Sequence, residues 1–170
     1  MSSLPEDEQL DRAREVALRM LTASACTRGQ VGDGLLGRGF APRVVEGLLD
    51  RFEEVGLLDD AAYAERLVRA RRDERGLSRR AIAAELARKG VDGDVTQSAL
   101  AGYEAADETE TAVREALARL RRTAGLEEEV RRRRTFAALA RKGYGPETAR
   151  EAVSRALVEL ATQDAGASDR

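Results

Sequence analysis

Histidine and tryptophan are absent from this 170-residue sequence, cysteine occurs once, proline three times, and aromatic residues make up 4%. Without histidine the chain lacks the commonest general base and a common metal ligand. The single thiol, Cys26, cannot form an internal disulfide and suits a cytosolic compartment. Its place near a helix boundary, with no histidine partner, reads as a small buried side chain. No apolar run approaches the ~20 residues that a membrane-spanning helix needs, and the acidic, polar first residues do not read as a secretory signal. No segment alternates Val, Ile and Thr with polar residues, so no sheet is expected. Phosphate-binding loops, dinucleotide-binding glycine patterns and zinc spacings are also missing. The sequence therefore offers no basis for an enzyme, and neither a cofactor nor a metal is expected.

What is present is helical in character. Ala, Leu, Arg and Glu dominate, all good helix formers, and 42% of residues are hydrophobic. With so few rings, the core has to be Leu, Val and Ala. The net charge of −2 hides a polarised distribution. Acidic residues gather at 6–11 and 53–60, basic residues at 69–80 and 131–134. Local fields of this kind steer partners even when the total is near zero.

Punctuation divides the chain. From Leu10, apolar positions Ala13, Ala17, Met20 and Leu21 share one helical face. Thr27 suits the cap of a second helix running to Arg38, within which Gly32 and Gly34 each cost about 1 kcal/mol relative to Ala. Gly39 stops it and Phe40 packs back; Pro42 opens a third helix with Val45, Leu48, Leu49 and Phe52 as its stripe. Asp59 and Asp60 are expected to cap the next helix rather than bind metal. Ser78 caps the following one, whose Ile82 and Leu86 face inward before Gly90 and Val91. A further helix carries Val95, Ala99, Leu100 and Tyr103. The last third begins near Asp107, breaks at Gly125, and holds a helix near 126–142 that Gly143 stops. Pro146 opens the final helix, with Ala149, Ala152, Val153 and Leu157 inward.

A repeat is visible without an alignment. LLGRGF at 35–40, LARKGV at 86–91 and LARKGY at 139–144 superpose with offsets of 51 and 53 residues. Helical units with a ~50-residue period suggest a tandem array in which each unit buries its face against neighbours. The expected fold is all-α, three tandem three-helix repeats forming an elongated, curved array; a compact nine-helix globule is the alternative. Repeats are placed at 10–58, 59–106 and 107–160, with disordered tails at 1–9 and 161–170.

The basic residues are the candidate functional face. Arg69, Arg71, Arg72, Arg75, Arg79, Arg80, Arg88 and Lys89 put eight positive charges within 21 residues. Arginine offers a planar, bidentate fork to carboxylates and phosphates alike. For any one of them, a solvated helix face with pairs such as Glu65–Arg69 is the simpler explanation. For the cluster, a partner is favoured. Four consecutive arginines at 131–134 point around a helix, so at most half face one partner, and Glu128–Arg132 and Glu129–Arg133 can pair. Arg131, Arg132 and Arg134 join the candidate surface, with Arg141 and Lys142 of the repeated LARKG stretch. Tyr63, Tyr103 and Tyr144 read as core.

GLLDD followed by AAYAERLVRARRDERG and SRRAIAAELARKGV resembles the middle of the RecX family, regulators of the RecA recombinase. GRGFAPRVVEGLLDRFEEVG and RRRRTFAALARKGYGPETAREAV resemble that family's first and third repeats. The resemblance covers roughly residues 13–157. One departure is CTRGQVGDGLL, where glycine and valine stand in place of polar and acidic residues, and a looser second helix is expected there. The resemblance implies a non-enzymatic cytoplasmic monomer that binds along the RecA–DNA filament groove and restrains RecA's ATP hydrolysis, strand exchange and coprotease activity, tuning recombination and the SOS response. It leaves open contact with single- or double-stranded DNA. A protein of another class, a helical repeat binding DNA directly, is the alternative; the sequence pI of about 5.5 argues against tight autonomous binding.

Overall fold

The computed structural model describes residues 5–168, and every regular element among them is a helix. They fall in threes: α1 (Glu6–Ala23), α2 (Arg28–Leu36) and α3 (Pro42–Glu54); α4 (Asp60–Asp73), α5 (Arg79–Arg88) and α6 (Gly93–Leu100); α7 (Ala105–Arg122), α8 (Glu128–Arg141) and α9 (Pro146–Ser168).

The repeated sequence motif is one repeated helix stop. Gly39, Gly90 and Gly143 adopt φ of 81°, 75° and 92°, left-handed conformations that a side chain disfavours. The following N–H then reaches back five residues. Phe40 donates to the Leu35 carbonyl (3.4 Å), Val91 to Leu86 (3.1 Å) and Tyr144 to Leu139 (3.2 Å). This 6→1 closure satisfies a carbonyl that the helix end would leave unpaired and turns the next side chain inward. Phe40, Val91 and Tyr144 are accordingly all buried. Starts are equally local. Thr27 and Gln30 form a reciprocal capping box, Ser78 Oγ accepts from the Ala81 N–H (3.2 Å), and Pro42 and Pro146 are the first residues of α3 and α9.

The chain divides into two compact units. The first comprises Met1–Leu67 and Glu85–Ala99, the second Val68–Ala84 and Leu100–Arg170, so α4 and α5 contribute to both. By sequence, the first unit carries ten Lys and Arg against 16 Asp and Glu, net −6; the second carries 19 against 15, net +4.

In the first unit, Ala13 and Ala17 of α1, Val31 and Leu35 of α2, and Val45, Leu48, Leu49 and Phe52 of α3 make the core. The glycines expected to loosen α2 are contact points instead. A Cβ on Gly34 would lie 2.6 Å from Met20 Cε, and one on Gly32 3.2 Å from Leu49 Cδ1. Their helix-propensity cost is offset by the close approach they permit. In the second unit, Ala112 and Ala116 of α7 meet Ala149, Ala152, Val153 and Ala156 of α9, and Leu120 and Leu139 join them. Alanine on both faces lets these two long helices pack closely.

Several boundaries differ from those expected. α1 begins at Glu6, behind Pro5 as its cap residue, and the Gln9 N–H bonds the Pro5 carbonyl at 3.0 Å. Acidic residues at a helix N-terminus favour this early start, which apolar periodicity does not register. α2 ends at Leu36, because 3₁₀-type bonds such as Arg38 N–H to the Leu35 carbonyl (3.0 Å) take over. α6 ends at Leu100, so Tyr103 lies past it, fully buried. α9 continues to Ser168 through the sequence ATQDAGAS, which carries no apolar stripe and mixes good helix formers such as Ala with poor ones such as Asp and Gly, so periodicity does not register it. Of the expected tails, residues 1–4 and 169–170 lie outside the described residues. Cys26 is only partly buried, with Sγ 3.4 Å from the Ser24 carbonyl.

Candidate functional site

Each unit contains one junction between consecutive repeats, and the two are built to one plan. In the first unit the N-terminus of α2 meets the C-terminus of α5. Thr27 Oγ1 donates to the Lys89 carbonyl, and the Arg28 N–H donates to Asp60 Oδ1 at 2.8 Å. In the second, the N-terminus of α5 meets the C-terminus of α8. The Ser78 N–H donates to the Lys142 carbonyl (3.0 Å), and the Arg79 N–H donates to Glu108 Oε1 (3.0 Å). In both, the cap residue at a positive helix end donates to a lysine carbonyl at a negative helix end, through the hydroxyl of Thr27 in the first and the N–H of Ser78 in the second, and the first helical N–H donates to a carboxylate from the next repeat. Asp59 caps its own helix through the Ala62 N–H (2.8 Å), as expected, but Asp60 instead caps α2.

The first junction is sealed by backbone. A Cβ on Gly29 would sit 2.9 Å from Gly90 Cα, so the two glycines let the chains touch. Lys89 Nζ lies 5.9 Å from the Tyr63 ring centroid. Nearby, the half-buried Arg28 guanidinium reaches three α3 carboxylates: Glu53 (2.7 Å), Asp50 (2.8 Å) and Glu46 (3.0 Å). Burial opposes its charge, but the Asp50 hydrogen bond and the neighbouring carboxylates raise its pKa overall.

The second junction is sealed by side chains. Three successive carbonyls of the α4–α5 turn accept hydrogen bonds: Arg75 from Lys142 Nζ, Gly76 from the Tyr144 hydroxyl (2.9 Å), and Leu77 from the Tyr103 hydroxyl (3.2 Å). Lys142 also pairs with Glu115 Oε2 at 3.0 Å. Burial pushes the Tyr144 phenol far above its ordinary value, reinforced by Tyr103; burial also pushes Tyr103 up. The Arg72 guanidinium lies 5.7 Å from the Tyr103 ring centroid and donates to Asp73 (2.7 Å), a bond that holds the Asp73 carboxyl below its usual range.

The candidate basic residues therefore divide into two kinds. Arg69, Arg75, Arg80, Arg88, Arg132, Arg134 and Arg141 are exposed. Arg71, Arg72, Arg79, Arg131, Lys89 and Lys142 are partly buried. Arg72, Lys89 and Lys142 are engaged at the junctions, and Arg131 donates to the Leu120 carbonyl at 3.2 Å. Arg132 pairs with Glu128 at 3.6 Å. Arg141 and Lys142 line a small cavity with Arg119 and Arg122, two residues that the sequence reading passed over. Their signal was the 115, 119, 122 spacing, one stripe on α7.

Models of the three RecX three-helix domains match in order: the first at residues 13–52, the second at 59–100 and the third at 106–153. The chain belongs to the RecX family. The regulatory protein RecX of Thermobifida fusca is 47% identical over 143 residues, 84% of this chain and 77% of that protein. The RecX of Mycobacterium leprae is 45% identical over 154 residues, 90% of this chain and 88% of that protein. The crystal structure of RecX from Lactobacillus salivarius superposes with a TM-score of 0.77 over 89% of this chain and 99% of that one, at 20% identity. The RecX match agrees with the all-α, three-repeat reading. It also places one repeat junction between the first and second RecX domains and the other between the second and third.

Proposed function

We propose that this chain is a non-catalytic regulator that binds the RecA nucleoprotein filament and mainly inhibits its ATPase, strand-exchange and coprotease activities, tuning recombinational repair and the SOS response in the cytoplasm. A regulatory role follows from the family. The observation that carries the finer reading is the complete set of three RecX domains joined by hydrogen-bonded junctions, with exposed arginines flanking the second. Tandem units presenting several weak charged contacts gain avidity on a repeating partner without any one strong site.

The test is RecA-driven strand exchange and ATP hydrolysis with the purified monomer added well below stoichiometry. Inhibition is expected, and no effect on a cognate recombinase sinks the reading. Arg69→Glu/Arg75→Glu/Arg80→Glu is the sharper probe, because these side chains are exposed whereas Arg72 is committed to Asp73 and Tyr103. The triple variant is expected to inhibit less while keeping its helical circular dichroism. The second reading, direct DNA binding, is favoured by the net charge of +4 on the second unit. A steep fall of affinity for naked DNA with salt supports it.

A further inference from the structure

We propose that the cavity between α7 and α8 is a phosphate site that takes one phosphodiester of a nucleic-acid backbone, held by Arg119, Arg122 and Arg141. The cavity holds about 200 Å³. That is below the ~300 Å³ at which pockets begin to admit drug-sized ligands, so it suits a single phosphate-sized group of a longer chain rather than a whole nucleotide.

The charges around it do not balance. Four cationic side chains line it against one carboxylate, Glu115, and that carboxylate is already paired with Lys142 at 3.0 Å. Among the described residues, no carboxylate lies within salt-bridge distance of Arg119, Arg122 or Arg141. Arg119 Nε is buried and has no hydrogen-bond partner. A buried donor left unmade costs about 1–3 kcal/mol, more when charged. Among the described residues the other such nitrogen is Arg131 Nε, whose guanidinium still donates to the Leu120 carbonyl, while the guanidinium of Arg28 is met by three carboxylates.

Two features favour a phosphate. The guanidinium fork presents paired N–H donors that match phosphate oxygens. A carboxylate accepts mainly in its own plane, whereas the two non-bridging oxygens of a phosphodiester sit on a tetrahedral centre and accept from a wider range of directions, which suits three forks around one small space. The Lys142–Glu115 pair fixes the cavity's edge and leaves the three arginines as its free positive charge.

This inference concerns the protein alone, so its failure leaves the filament reading standing. The full chain is titrated, without RecA, with a labelled single-stranded oligonucleotide over a range of salt and, separately, with inorganic phosphate while arginine Nε–Hε resonances are followed. Arg119→Gln/Arg122→Gln/Arg141→Gln is compared with Arg12→Gln/Arg14→Gln/Arg19→Gln, the same charge change in the first unit. For the cavity variant, oligonucleotide affinity is expected to fall about tenfold or more, the equivalent of one charge-assisted hydrogen bond. Its log–log salt slope should become shallower by about 0.7, one phosphate on a single strand. The control should keep both values, and both variants should keep the wild-type melting temperature within a few degrees. If inorganic phosphate moves the Arg119 resonance while the cavity variant binds the oligonucleotide normally, the cavity serves the free ion and the phosphodiester assignment is overturned. If no cavity resonance moves and the two variants bind the oligonucleotide alike, the proposal is overturned.

Discussion

At the N-terminus of α2 two glycines meet; at the N-terminus of α5 a lysine and two tyrosines hold the corresponding turn. The two junctions share their electrostatic frame: a hydroxyl-bearing cap residue, a lysine carbonyl, and a carboxylate from the next repeat on the first helical N–H. They differ in what fills the remaining space. Gly29 corresponds to the exposed Arg80, and Val91 to Tyr144, under the offsets that align the repeats. One solution gains tight backbone packing and gives up polar fastening. The other keeps side chains and fastens three carbonyls with them. A tandem repeat thus conserves the helix-end pairing, where unmade hydrogen bonds are costly, and lets the filling vary.

Large effects are expected from the glycines of the first junction. Gly90→Ala forces a side chain into the left-handed region and against Gly29 Cα at 3.0 Å. It should destabilise by about 1–2 kcal/mol of backbone strain plus about 1–3 of overpacking, read as a lower urea midpoint. Gly29→Ala carries only the overpacking part, about 1–3 kcal/mol, whereas Arg80→Ala at the matching position should stay within about 0.5. Equal effects at 29 and 80 would break the contrast between the two seals.

Tyr144→Phe leaves the buried Gly76 carbonyl short of a donor and should lower stability by about 1–3 kcal/mol, measured by chemical denaturation. Hydrogen exchange should quicken across residues 75–78 and stay unchanged at the first junction. Next comes the lysine pair. Lys142→Met gives up a carbonyl bond and a partly buried ion pair, about 1–2 kcal/mol. Lys89→Met gives up a cation–ring contact at 5.9 Å, about 0.5. A larger loss at Lys89 would reverse the assignment of roles.

The smallest effect is in pH. The Tyr144 and Tyr103 phenols titrate higher in the folded protein than the ordinary value of 10.0. A group whose folded pKa is raised contributes stability that is complete below the unfolded pKa and is lost as pH rises above it. The melting temperature should therefore hold to about pH 10 and fall beyond it. Tyr144→Phe should show a shallower alkaline decline than the parent, and identical declines would remove the tyrosine from the account.

Much of this molecule was legible before any coordinates. The glycine stops and the aromatic or valine behind them, the Thr27 and Ser78 caps, and the proline starts are local chemistry, so the three-by-three helix pattern could be read from spacing. The resemblance in residues 56–91 named the family that the comparisons then showed. The basic residues were legible as a list. What each touches was not, because Arg72, Lys89, Arg131 and Lys142 are engaged by residues that are remote in sequence or by a ring and a carbonyl that no charge pattern marks.

The sequence by itself determined where helices begin and end, because caps, left-handed glycines and N-terminal prolines act within a few residues of themselves. Only the tertiary structure decided that Asp60 caps α2, that Gly29 and Gly34 are packing sites, and that Tyr144 fastens the α4–α5 turn. Those roles depend on a partner 32, 61, 14 or 68 positions away. A distance of that kind has no local signature: the same aspartate, glycine or tyrosine could serve its own helix equally well until the chain has folded back on it.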